Sequence, residues 1–197
     1  MRGLLALSAI IDRVTEFIGK WVAWLILVSI FVSAGNAIVR KVFDTSSNAF
    51  LEIQWYLFAA VFLVAAGYTL MRQEHVKIDV VLHNFKRRTQ VKIEIFGILA
   101  FLLPFVIYLI DLVWPLVTRA YVSGEMSQNA GGLIRWPVFA LVPLGFALLG
   151  LQAVSELIKR IGYLMGIADD PGQKKQEKSA EEELVEEIRA HEAGAKP

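Results

Sequence analysis

The residues with the clearest potential for chemistry are two histidines and an aspartate that recur every four positions. His75, Asp79 and His83 would share one face of a helix, and imidazole and carboxylate groups at this spacing can supply three ligands to a metal ion. The same residues also fit the water-facing side of an amphipathic helix, which Lys86 would continue. The second interpretation is favoured because the chain has no cysteine and no further ligand cluster nearby. We therefore predict no metal and no cofactor.

Other kinds of reactive site are missing from the sequence. No nucleophile has a paired base, and there is no phosphate-binding glycine loop or nucleotide motif. The histidines His75, His83 and His191 all lie outside the apolar runs, which argues against axial ligands for a transmembrane haem. The basic residues form no stripe interleaved with aromatics, so no nucleic acid is predicted as a partner. The sequence predicts a protein that is not an enzyme.

The elements that must position these residues are membrane helices. The 197 residues are 56% hydrophobic with a mean hydropathy of +0.53, and the charges are bunched between apolar runs. The predicted fold class is all-α: a polytopic membrane protein with four transmembrane helices and two amphipathic interfacial helices, one N-terminal and one in a cytoplasmic loop. Each span needs about 20 apolar residues. The predicted spans cover about residues 21–39, 50–71, 91–114 and 136–158.

The remaining segments are polar or amphipathic. Residues 1–20 have apolar side chains at helical spacing and predict an interfacial helix, with Asp12, Arg13, Glu16 and Lys20 on the opposite face. A cleaved signal peptide is the alternative, but Asp12 interrupts its apolar core. The second interfacial helix is predicted at about residues 78–86, and residues 115–135 form a long outer loop. The charge-rich residues 161–197 predict a disordered tail.

Positive charge sets the predicted orientation, because lysine and arginine beside short loops favour the cytoplasm. The four-span arrangement puts eleven of these residues on one side and four on the other, so both termini are predicted to be cytoplasmic. Membrane lipids are a predicted partner: an apolar stripe would enter the inner leaflet and the basic residues after it would meet anionic headgroups. The residues of this predicted anchor are Ile78, Val81, Leu82, Phe85, Lys86, Arg87 and Arg88.

The spans carry signs of helix packing and few signs of a transport pathway. Glu52, Glu94 and Asp111 fall near predicted span ends, and the chain shows no internal repeat, so a complete pathway is not predicted. Small residues recur every four positions along the first span, where they let another helix approach. Glu52 also suits the first turn of its helix, where the helix dipole favours a carboxylate. The candidates for packing within the bundle or on another subunit are Ser29, Ser33, Asn36, Glu52 and Trp55.

Several short motifs, taken in their order and spacing, resemble a known family. They are WYLFAA at 55–60, GYTL at 67–70, HVKIDV at 75–80, WP at 114–115, GEMS at 124–127, GGL at 131–133, RWP at 135–137 and PLGF at 143–146. Together they resemble the small integral membrane subunit, the DctQ-type or Q subunit, of tripartite ATP-independent periplasmic (TRAP) transporters. The similarity covers about residues 21–160. One departure is Phe139, at a position that is often basic in the family.

The resemblance implies a role in the uptake of small organic acids. In that family a periplasmic substrate-binding protein captures the substrate, and a large permease (M) subunit carries it across the bacterial inner membrane with a sodium gradient. The small subunit is bound to the large one. This chain would then scaffold the permease, and Glu125 and Arg135 of the outer loop are the candidates for contact with the substrate-binding protein. The alternative is a membrane anchor or accessory subunit of another complex.

Overall fold

The structure is a computed structural model that describes residues 1–44, 47–73 and 85–172, apart from the side chain of Arg2. A five-residue π-helical segment, Ile98–Leu102, joins two of its helices without a break. Within the described ranges there is no β-strand, and four helical stretches are long and apolar enough to cross a membrane. This confirms the all-α polytopic fold class. The helices are α1 (Arg2–Phe43), α2 (Asn48–Arg72), α3 (Arg87–Gly97), α4 (Leu103–Ser123) and α5 (Trp136–Leu164).

The helices extend beyond the predicted spans. Helix α1 runs without interruption through the predicted interfacial segment and the first span. Helix α4 continues past Trp114 to Ser123, since Pro115 removes only one backbone donor and a membrane helix tolerates that loss. Which residues lie within the bilayer stays a prediction. Most of the predicted interfacial helix at 78–86 and most of the predicted tail lie outside the described residues.

Helix α5 is the centre of the bundle. It packs against α1, α2, α3 and α4, and α1 also packs against α2. Two glycines allow the closest approach between α2 and α5. A Cβ on Gly145 would lie 2.6 Å from the Leu63 carbonyl oxygen, and a Cβ on Gly67 would lie 3.2 Å from the Leu148 carbonyl oxygen. The two backbones are therefore in near contact at two levels, as small residues permit between membrane helices.

Polar side chains are buried in this bundle while many large apolar ones lie on its surface. Gln152 and Glu156 are among the largest fully buried side chains, at 0% and 1% exposure. By contrast, Phe62 of α2 is 79% exposed and Val122 of α4 is 86% exposed. This distribution suits a lipid environment, where polar groups need partners inside the protein and apolar groups do not need to be hidden.

Candidate functional site

Polar contacts collect at the two ends of the bundle. The loop end carries residues 124–135, which form a small structure that we call the loop hairpin. Its two arms are joined by backbone hydrogen bonds: Ser127 N–H donates to the Leu133 carbonyl at 2.9 Å, and Arg135 N–H donates to the Glu125 carbonyl at 3.0 Å. The opposite end, where α3 begins and α5 ends, we call the terminal end.

Three side chains spaced one turn apart on α2 hold the loop hairpin. Asn48 Nδ2 donates to the Ala130 carbonyl at 3.0 Å, and the Tyr56 hydroxyl donates to the Ile134 carbonyl at 3.0 Å. Glu52 lies between Asn48 and Tyr56 on the same helix face, because positions four apart are neighbours on a helix. Asn48 therefore binds the hairpin instead of capping its own helix.

The Glu52 carboxylate is enclosed by the hairpin and is only 3% exposed. Its Oε2 accepts the Leu133 N–H at 2.7 Å, and its Oε1 accepts Asn129 Nδ2 at 2.7 Å and the Ser127 hydroxyl. A Cβ on Gly132 would lie 2.9 Å from Oε1, so this approach of backbone to carboxylate requires glycine. Three donors thus satisfy the carboxylate and connect the hairpin to α2.

The two predicted docking residues lie side by side in the hairpin. Arg135 Nη1 is 2.9 Å from Glu125 Oε1, and the two side chains are 40% and 36% exposed. The Arg135 guanidinium also lies 5.6 Å from the ring centre of Phe139, a cation–π distance. Phe139 therefore supplies a ring to a neighbouring arginine. Contact with a substrate-binding protein stays a prediction.

The predicted packing residues fall into two groups. Ser29 is 4% exposed and lies inside the bundle, and the hydrogen bonds of Glu52 are made with the chain's own hairpin. Ser33 is exposed, Asn36 is half-buried and Trp55 is 62% exposed. Ser29 and Glu52 therefore pack within this chain, whereas the other three remain accessible to another subunit. A contact of these three with such a subunit stays a prediction.

At the terminal end, polar side chains join α1 to α5. Asp12 Oδ1 accepts the Ser155 hydroxyl at 2.7 Å and Gln152 Nε2 at 2.8 Å, and Asp12 Oδ2 lies 3.0 Å from Lys159 Nζ. The Thr15 hydroxyl donates to Gln152 Oε1 at 2.8 Å. Asp12, which was predicted on the polar side of an interfacial helix, therefore binds α5. Polar groups in a membrane bundle find partners inside it, and the interfacial location of residues 1–20 stays a prediction.

Ion pairs continue from α5 to α3 and to the residues after α5. The Glu156 carboxylate binds the Arg160 guanidinium, whose Nε donates to Glu94 Oε2 at 2.8 Å. Arg87 lies 3.5 Å from Glu94 and forms two hydrogen bonds of 2.6 Å to the Asp170 carboxylate. The Arg87 guanidinium holds the pKa of the Asp170 carboxyl below its ordinary value. Glu156 and Arg160 are 1% and 4% exposed, so these buried charges depend on their ion-pair partners, which include Lys159 for Glu156 and Glu94 for Arg160.

The predicted lipid anchor is only partly within the described residues. Phe85, Lys86 and Arg88 are exposed, and Arg87 is half-buried in the ion pairs of the terminal end. Anchoring to lipid stays a prediction. In the described ranges no group of three His, Asp or Glu side chains is arranged to hold a metal ion. The residues that lie outside those ranges are Ile78, Val81 and Leu82 of the anchor and His75, Asp79 and His83 of the possible metal site.

The partners of these carboxylates were not predicted from the sequence, although part of the signal is present. Gln152 and Ser155 are three positions apart inside an apolar run, a spacing that indicates one polar stripe facing other helices. Asn48, Glu52 and Tyr56 recur every four positions in the same way. The spacing identifies the face of each helix, but it does not say which segment covers that face.

Comparison with known proteins adds one finding. The family model for the DctQ component of tripartite ATP-independent periplasmic transporters matches residues 30–162, which is more than half of the chain. The matched range includes α2, the loop hairpin and most of α5. No curated protein and no solved structure matched the chain.

Proposed function

The chain belongs to the family of DctQ components of tripartite ATP-independent periplasmic transporters, and from this premise we propose that it holds the large permease subunit in place during transport. Family membership confirms the resemblance found in the sequence and identifies a small membrane component of a transport system. The proposal also covers the substrate, the driving force and a second partner. The transported substrate is an organic acid, a sodium gradient drives its uptake, and a periplasmic substrate-binding protein is a transient partner.

The observation that carries the scaffold role is that the bundle is connected at both ends. At the loop end Glu52 binds the loop hairpin, and at the terminal end Glu156 and Arg160 link α5 to α3. Every buried side-chain nitrogen or oxygen in the described residues has a hydrogen-bond partner. Internally satisfied polar groups favour a rigid bundle over one that opens to pass an ion. This supports a scaffold that stays fixed while its partner moves.

A surface for the permease is available on α2. Trp55, Phe58 and Phe62 lie at successive turns on one side of the helix and are 62%, 59% and 79% exposed. Exposed aromatic side chains in a row supply large contact areas for another helix. We propose that Ser33 and Asn36 of α1 belong to the same contact with the permease.

The proposed location is the bacterial inner membrane, with both termini in the cytoplasm and the loop hairpin in the periplasm. The distribution of basic residues supports this orientation, since such residues favour the cytoplasmic side. In the described chain the loop end carries Arg40, Lys41, Arg119 and Arg135, whereas the terminal end carries Arg13, Lys20, Arg72, Lys86, Arg87, Arg88, Lys92, Lys159 and Arg160.

In this orientation the loop hairpin faces the substrate-binding protein. Glu125 and Arg135 offer one charge of each sign, and the hairpin that presents them is already held by Glu52. A surface that is ordered before binding loses less conformational entropy when a partner docks. The exposed pair is therefore well suited to a transient contact.

A charge exchange tests the docking role. Glu125→Arg combined with Arg135→Glu keeps an ion pair in the hairpin but reverses the charges that a partner meets. We expect sodium-dependent uptake by whole cells to fall while the amount of assembled membrane complex is unchanged. Glu125→Gln is the milder control, with a smaller loss of uptake. Unchanged uptake in the exchanged variant would remove the docking role and leave the scaffold role standing.

Copurification tests the scaffold role. The wild-type chain should recover the permease from detergent-solubilised membranes, and Ser33→Leu combined with Asn36→Leu should recover less, because bulky side chains block close helix approach. Gly97→Ala is the control, since a Cβ there meets no atom within 4 Å. If the wild-type chain recovers no permease, the scaffold role is wrong and an accessory subunit of another complex becomes the better hypothesis.

A further inference from the structure

Asp111 is the only charged residue within the four long apolar runs of the sequence, which cover residues 21–39, 53–71, 95–118 and 136–155. It lies on α4, and its side chain is exposed on the surface of the bundle. Across the described ranges no hydrogen bond or ion pair reaches its carboxylate. The sequence pattern placed it near the end of a span, but α4 continues for twelve residues beyond it, to Ser123.

The position of Asp111 along α4 puts its carboxylate on the apolar part of the surface. The next charged residue towards the loop end is Arg119, eight positions or about 12 Å further along the helix. Trp114 and Tyr121, which favour the membrane interface, also lie on that side. Side chains on a helix lean towards its N-terminus, so Asp111 leans away from the interface. Ionisable side chains in such a place almost always face a partner, either another charge or a polar group, or a water-filled cavity.

The backbone provides a second acceptor at the same place. Pro115 has no N–H, so the Asp111 carbonyl lacks the donor that a regular helix supplies four residues later. Asp111 also lines a shallow groove together with Ile107, Ile110, Trp114 and Pro115. Two acceptors beside an apolar groove fit a lysine or arginine, whose stem is apolar and whose end carries several N–H donors.

We infer that α4 packs against a transmembrane helix of the large permease subunit and that a lysine or arginine of that helix enters the groove and pairs with Asp111. The inference rests on the proposed function, because it requires the permease as partner. Apolar helix faces have little preference for one another in lipid, so one buried charge pair fixes which faces meet and at what level.

Copurification of the permease with the full chain tests this contact. Asp111→Lys places two cations together and should lower the recovery of the permease at least tenfold. Asp111→Asn keeps the shape but removes the charge, and should lower recovery severalfold. Arg119→Glu reverses a charge on the same helix beyond the apolar run and should leave recovery unchanged.

The outcomes separate this inference from the proposed function. If the wild-type chain recovers the permease and both Asp111 variants recover it equally well, the inference is overturned and the scaffold role stands. If the wild-type chain recovers no permease, both are overturned.

Photo-crosslinking covers the case in which Asp111→Lys does not fold. A benzophenone amino acid at Ile107 or Trp114 should form an adduct with the permease in the assembled complex. The same group at Leu112, which is 58% exposed on another side of α4, should form none. Adducts of the groove positions with a second copy of this chain, or with lipid alone, would overturn the inference.

Discussion

Removing the charge of Glu52 without changing its size tests how the loop hairpin is held. In Glu52→Gln one carboxylate oxygen becomes an NH₂ group, which donates and cannot accept. The Leu133 N–H cannot turn away, so the remaining oxygen has to stay opposite it. The Ser127 hydroxyl and the Asn129 amide must then reorient to accept from the new NH₂ group.

The expected loss is about 1–3 kcal/mol of the free energy that holds the hairpin to α2. Hydrogen bonds to a charged group contribute about 1.5–3 kcal/mol and neutral ones about 0.5–1.5 kcal/mol, so each of the three bonds weakens by about 1 kcal/mol before reorientation recovers part of it. Glu52→Ala leaves all three donors without an acceptor. Asn129 is exposed and its amide can turn to water, so at about 1–3 kcal/mol for each of the other two donors we expect a total of about 2–6 kcal/mol.

Amide hydrogen exchange of the loop hairpin, measured by mass spectrometry in lipid nanodiscs, reports this loss. A change of about 1–3 kcal/mol corresponds to about 5- to 150-fold faster exchange of the Ser127 and Leu133 amides. Glu125→Gln makes the same chemical change in an exposed pair of the same hairpin and should accelerate exchange less than about fivefold. Equal exchange in wild type and Glu52→Gln, or equal acceleration in both variants, would refute the reasoning.

Three other changes test the packing and the terminal end. Gly145→Ala puts a Cβ 2.6 Å from a carbonyl oxygen of α2 and should cost about 1–3 kcal/mol in thermal unfolding, whereas Gly97→Ala, in open space, should cost nothing. Asp170 has a pKa lowered by Arg87, so its stabilising contribution is complete above the ordinary value of 3.8 and is lost as the pH falls through the lowered value. The unfolding temperature of wild type should therefore fall more than that of Asp170→Asn between pH 5 and about pH 2, and equal losses would contradict the pairing. Glu156→Ala leaves the buried guanidinium of Arg160 with one carboxylate fewer, and it should lower the free energy of unfolding, measured by refolding from denaturant, by up to about 3–5 kcal/mol. An unfolding free energy equal to that of wild type would contradict this pairing.

Hydropathy was sufficient to predict the helical class and the four candidate spans, because a bilayer imposes about 20 apolar residues on each span. It was less informative about helix ends, since α4 passes through Pro115 and stops only at Ser123. The partners of Glu52 could not be predicted from the sequence, because Ser127 and Leu133 are 75 and 81 positions away along the chain. Their approach to Glu52 depends on how the helices pack.

The side of α1 that faces α5 could not be predicted from amphipathicity alone. In water the polar side of an amphipathic helix faces the solvent, but in a membrane bundle it faces the protein. Asp12 and Thr15 are polar residues on such a side, and they bind Gln152 of α5. An amphipathic pattern thus fits both a helix whose polar side faces water and a helix whose polar side faces the protein. Only the tertiary contacts distinguish these two cases.

The contact between α1 and α5 can form only late in synthesis. Asp12 and Thr15 leave the ribosome with α1, but Gln152 and Ser155 follow only 137 to 143 residues later. Until α5 enters the membrane, the early spans must leave these groups to water, lipid headgroups or the insertion machinery. A nascent chain that stops before α5 therefore lacks the partners that Asp12 and Thr15 have in the finished protein.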